Sequence, residues 1–125
     1  MRSLIAIAAL ASLTLLLSGC GPTKFGRSSI AEDAQTHMIG LSKQDVLSCA
    51  GIPTRTMRSE GVEYLLYSHR EQRGDDGDTY TRNCDVTIAL DSGRVSKVSY
   101  RGRTGGWVTQ GEACYYVVKD CVQAD

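Results

Sequence analysis

Only two histidines, His37 and His69, occur among the 125 residues. They leave little material for a Ser-His-acid set, and nothing in their spacing suggests one. The chain has no Cys-x-x-Cys for thiol exchange and no Cys-x-x-Cys-His for haem attachment. It has no excess of either charge, with 14 basic against 14 acidic side chains, which gives no reason to expect nucleic acid or a polybasic membrane contact. No apolar run reaches the roughly 20 residues that a membrane-spanning helix needs. These absences point away from an enzyme, and no catalytic residue, metal ligand or cofactor is expected.

What is present begins at the N-terminus. Arg2 supplies a positive end, Leu4–Leu17 an apolar segment of 14 residues, and Ser18 and Gly19 two small residues before Cys20. These are the three zones of a secretory signal. Leu17-Ser18-Gly19-Cys20 resembles the lipobox of bacterial lipoproteins. The resemblance implies cleavage before Cys20 and acylation of its thiol and new amino group, so that the membrane is reached through the lipid anchor. The expected divisions are a signal peptide at 1–19, a lipidated tether at 20–28 and one domain at 29–125. Loss of residues 1–19 removes Arg2, so 13 basic side chains then face 14 acidic ones over 106 residues. A domain of that size buries a modest fraction of its surface and benefits from covalent staples.

The cysteine count supplies them. Apart from Cys20, the chain holds Cys49, Cys84, Cys114 and Cys121. An even number in an exported chain reads as two disulfides. The same four lack the short paired gaps of a zinc knuckle.

Ser29-Ile30-Ala31-Glu32 fits a capping box, and Ile30, Ala34 and Met38 recur on one face. The pattern predicts a helix over Ile30–Ile39, ended by Gly40. Ser42 opens a second short helix, with Asp45 three residues on and Val46, Leu47 and Ala50 as its apolar side. Gly51 sits at its C-terminal cap, and Pro53 prevents continuation. Val62–His69 reads as a strand, Arg70–Asn83 as a long polar hairpin loop, and Cys84–Leu90 as a cleanly alternating strand. Asp75-Asp76-Gly77-Asp78 within that loop lacks the full spacing of a calcium loop and reads as a solvated tip. Asp91-Ser92-Gly93 is a tight turn. Arg94–Arg101 is a third strand whose apolar phase changes midway, predicting a bulge near Ser96–Lys97.

Arg101–Gly111 is glycine-rich and holds Trp107. Thr109-Gln110-Gly111-Glu112 is another capping-box pattern, and Cys114, Val117, Val118, Cys121 and Val122 follow as one helical stripe. Seven helical residues separate Cys114 and Cys121 by roughly 10 Å, too far for one bridge. Each must then pair with Cys49 or Cys84. The order of the strands favours Cys84–Cys114 and Cys49–Cys121. Trp107, Tyr115 and Tyr116 either form an aromatic contact surface or shield the sheet edge. Tyr64 and Tyr67 fall on opposite faces of their strand, so one of them is open to an interface. The resulting fold class is α+β: two short helices on a three-stranded antiparallel meander, with a disulfide-fastened C-terminal helix.

Gly40, Ser42, Val46, Gly51 and Pro53, in that spacing and followed by the strands and the Asp-Ser-Gly turn, resemble the opening of the SmpA/OmlA, or BamE-like, domain. That resemblance covers about Ile30–Arg101 and implies an outer-membrane lipoprotein facing the periplasm. It further implies an accessory of β-barrel assembly or of envelope integrity, with envelope proteins as partners. Gly21, in place of an Asp after the lipidated Cys, permits export to the outer membrane. A similar fold serves β-lactamase inhibitor proteins, so a tethered binding module acting through the 70–83 loop and the sheet face is the alternative.

Overall fold

A computed structural model of the chain describes residues 23–75 and 78–122. The signal segment, Cys20, and the tip and side chains of the 75–78 acidic cluster lie outside the described residues. Among those described, the order is α1 (Lys24–His37), α2 (Lys43–Ala50), β1 (Arg55–Ser59), β2 (Val62–Asp75), β3 (Asp78–Asp91) and β4 (Arg94–Arg101). A 3-10 turn at Glu112–Cys114 then leads into α3 (Tyr115–Val122). The strands form one antiparallel sheet in the order β1-β2-β3-β4, and the helices lie over one of its faces. No described helix is long and apolar enough to cross a membrane.

The sheet therefore has four strands, not three. Arg55-Thr56-Met57-Arg58-Ser59 is exposed along its whole length, so it carries no alternation to read. It becomes a strand by pairing, from Arg55 opposite Leu66 to Ser59 opposite Val62. The turn between them is Glu60-Gly61, both at positive φ (51° and 81°), the geometry that matches the twist of a two-residue hairpin. Ser92-Gly93 repeats it between β3 and β4, at 51° and 78°.

Arg70–Asp75 and Asp78–Asn83 are strand, not loop. The β2–β3 ladder continues from His69 opposite Cys84 out to Asp75 opposite Asp78. Backbone pairing needs no apolar side chains, so a polar sequence conceals it. The bulge falls where expected: Ala89 faces Lys97 and Leu90 faces Val95, which leaves Ser96 as the extra residue.

Helix α1 begins six residues before the expected start at Ile30. Thr23 is its N-cap, its hydroxyl accepting from the Gly26 N–H at 3.2 Å. Ser29 and Glu32 therefore sit inside the helix, and most of the expected tether belongs to it. Its buried face is Ala31, Ala34 and Met38, with Ala31 where Ile30 was expected. At the other end, Thr109 does not cap a helix. It closes a turn with Gly106, and Gly111 (φ 87°) leads into the 3-10 turn that holds Cys114. The stripe of α3 then buries Val118 and Cys121.

Leu65, Val86, Ile88, Leu90, Val95 and Val98 from the sheet meet Ala31, Ala34, Met38, Val46 and Val118 from the helices. Each of the larger side chains contributes about 1.5–3 kcal/mol by leaving water. Two phenols reach into this layer. The Tyr100 hydroxyl donates to the Ala31 carbonyl at 2.5 Å, and the Tyr67 hydroxyl donates to the Gly51 carbonyl at 2.9 Å. Burial raises both above the ordinary value of 10.0. The native state thus favours their protonated forms. That stabilisation is present below the unfolded value and is lost as pH rises through the folded ones. An absorbance titration should show Tyr67 and Tyr100 ionising late in the native protein, a lag that their Phe variants remove and denaturation abolishes.

Candidate functional site: the open face of the sheet

Strand alternation sends Glu63, Leu65, Tyr67, His69 and Glu71 of β2 toward the helices. Tyr64, Leu66, Ser68, Arg70 and Gln72 go to the other face, which no described helix covers. Register then builds that face row by row. Met57, Tyr64, Ala89 and Lys97 lie side by side; so do Arg55, Leu66, Thr87 and Ser99; then Ser68, Asp85 and Arg101. Of the two tyrosines in question, Tyr67 is the buried one and Tyr64 belongs to the open face.

A groove of about 750 Å³ runs across this face, edged by Arg55, Arg70 and Arg101 and floored by Leu66, Ser68, Thr87 and Ser99. One carboxylate lies in it, Asp85, which accepts a hydrogen bond from Ser68 Oγ at 2.8 Å. No ion pair among the described residues engages Arg55, Arg70 or Arg101. Three guanidiniums against one carboxylate leave the groove positively charged, with an apolar strip of Met57, Tyr64 and Leu66 beside it. Such a surface can hold an extended segment that brings carboxylates and an apolar side chain. Arg55 and Met57 were missed in the sequence because β1 itself was.

The opposite face is sealed. Cys49 of α2 bridges to Cys121 of α3 with Cα atoms 4.9 Å apart, and Cys84 of β3 to Cys114 at 5.2 Å. These are the two pairs that helix length and strand order favour. Glu112 is 0% exposed. Its Oε1 accepts from Arg27 Nη2 of α1 at 2.6 Å, and its Oε2 accepts from Arg82 Nη1 of β3. This buried Arg-Glu-Arg clamp joins the first helix, the sheet and the last helical segment. In the sequence Glu112 looks like half of a capping box, and nothing nearby marks its partners.

Gly40, Ser42, Val46, Gly51 and Pro53 are joints of the same layer. The Gly40 N–H, at a φ of 90°, donates to the Val95 carbonyl at 2.8 Å. Ser42 Oγ accepts from the Asp45 N–H at 3.1 Å while the Asp45 carboxylate accepts from the Ser42 N–H at 3.3 Å. Val46 is buried beneath them. The Gly51 N–H donates to the Leu47 carbonyl at 3.1 Å to close α2, and Pro53 leads into β1. Lys43 of α2 meets Glu63 of β2 at 2.5 Å; its hydrogen bond, with the added pull of Arg58, holds that carboxyl below its ordinary pKa despite some desolvation.

The histidines do not converge on the groove. His69 stacks on Tyr116 of α3, ring centroids 4.6 Å apart, and its Nε2 lies 3.9 Å from Glu71, beyond hydrogen-bond reach. His37 is exposed at the end of α1. Tyr115 packs edge-on against Tyr116, while Trp107 is 87% exposed and shields nothing. Among the described residues, no group of three metal-ligating side chains comes together. Comparison with protein-family models, with curated proteins and with solved structures finds no match to this chain.

Proposed function

We propose that this chain is a lipid-anchored scaffold of the bacterial outer membrane. Its domain lies in the periplasm and supports β-barrel assembly or envelope integrity by holding an acidic segment of an envelope protein on its open sheet face. The observation that carries this reading is the asymmetry of the sheet. Two disulfides, a buried ion clamp and three helices stiffen one face, and the other, covered by no described helix, carries a basic groove. A rigid scaffold behind a pre-formed groove lowers the ordering cost of binding. The Leu17–Cys20 lipobox and the Gly40–Pro53 spacing support the compartment and the assembly role. The alternative of an inhibitor acting through a 70–83 loop loses its loop, since that segment is paired strand.

A photo-crosslinking residue at Tyr64, in intact envelopes, should capture a protein. Reversing Arg55, Arg70 and Arg101 to Glu removes three exposed charge pairs worth up to about 1 kcal/mol each, so binding should fall by about a hundredfold. Equal capture by the wild type and the triple variant would refute the reading.

A further inference from the structure

We propose that the end of the domain bearing Phe25, Trp107 and Val108 docks into the lipid surface and sets the orientation of the domain on the membrane. This rests on the anchoring of Cys20 proposed above. Phe25 is 66% exposed, Trp107 87% and Val108 58%. Single exposed apolar residues are ordinary, but the two segments that carry these three are tied to each other. Ser28 Oγ donates to the Gln110 carbonyl at 2.5 Å, and Arg27 is clamped to Glu112. The first turns of α1 are thereby fixed against the segment that follows Trp107. Phe25 lies three residues before Ser28, hence on the same side of the helix.

Trp107 and Val108 are not on a slack loop. They are the two central residues of a turn closed by the Thr109 N–H on the Gly106 carbonyl (3.1 Å) and by the Gly106 N–H on Thr109 Oγ1 (2.9 Å). A side chain at Gly105 would collide with the Thr109 carbonyl. The Gly111 N–H and the Ala113 N–H bind Thr104 Oγ1 and the Thr104 carbonyl, at 2.9 and 2.8 Å. The turn thus presents an indole outward from a braced base.

The occupant follows from chain reach. Cys20 is four residues from Lys24, where α1 starts, so the link spans at most about 14 Å. That is close to the radius of gyration of a domain this size, about 13 Å. An acylated Cys20 therefore holds the start of α1 against the headgroups, and the side chains beside it meet lipid. Trp and Phe favour that boundary, and the exposed cations Lys24 and Arg103 suit anionic headgroups.

Trp107 is the only tryptophan, so its fluorescence reports this contact alone. The full-length lipidated protein is to be reconstituted in vesicles of phosphatidylethanolamine and phosphatidylglycerol. Its emission should be quenched when the acyl chains are brominated and protected from aqueous acrylamide. A Phe25→Trp, Trp107→Phe chain should behave alike. Flotation with the vesicles but no quenching by brominated lipid would overturn this proposal and leave the anchoring intact. Failure to float would overturn the anchoring and the proposal with it. Protection from acrylamide in native envelopes but not in vesicles would assign the patch to a protein partner and overturn the lipid contact.

Discussion

Glu112→Ala should lower the free energy of unfolding by about 3–5 kcal/mol, the cost of breaking a buried ion pair from one side. The Arg27 and Arg82 side chains are only 15% and 13% exposed. Both lose a carboxylate that offsets their desolvation, and a void opens where Glu112 was. Glu112→Gln keeps the volume and removes the charge, so it should cost less than Ala. Replacing all three members with apolar residues of similar size should cost less than Glu112→Ala, because neither guanidinium then faces an emptied carboxylate site. Urea denaturation checks the order: the midpoint should fall with an unchanged slope. If Ala, Gln and the apolar triple all lie within about 0.5 kcal/mol of wild type, as ordinary surface substitutions do, the clamp is not a stabilising element.

The second large effect should come from the bridges. For spans of 72 and 30 residues, chain entropy gives about 4.5 kcal/mol for Cys49–Cys121 and about 3.5 kcal/mol for Cys84–Cys114. Packing reverses that ranking. Cys84 and Cys114 are fully buried in the core, so their replacement by alanine adds the loss of tight contacts to the loss of the cross-link. Cys49 is only half-buried where it packs against that core. The Cys84→Ala, Cys114→Ala pair should therefore be at least as destabilising as Cys49→Ala, Cys121→Ala, despite its shorter loop. Thermal unfolding of the two double variants decides this. A much larger loss for the outer bridge would mean that loop entropy alone governs.

What the sequence disclosed and what it hid divide along a physical line. Cys84–Leu90 was legible because one of its faces is buried, and burial writes a period of two into the side chains. The Ser42–Gly51 helix was legible because its capping groups are local. Arg55–Ser59 was not, since an exposed edge strand is held by backbone hydrogen bonds that any residue can make. The same holds for Arg70–Asn83. Glu112 hid for another reason. Its partners are 85 and 30 residues away, and a buried charge looks like any other charge until its surroundings are known. The open face inherits both problems, for its three arginines come from three strands, one of them unseen.

The two bridges are nested: the inner pair, Cys84–Cys114, lies wholly between the members of the outer one. That order has a consequence for biogenesis. In the periplasmic setting proposed above, a chain emerging N-terminus first exposes Cys49 and then Cys84, and these two are not partners. Oxidation in order of appearance would join them and leave Cys114 and Cys121 without their native partners. Reaching the native pairs then requires exchange through a mixed disulfide, or else a delay until β3 and the last helix have come together. Maturation of this small domain should accordingly depend on an isomerase as well as an oxidase, and its last cysteine, four residues from the C-terminus, is the one that completes it.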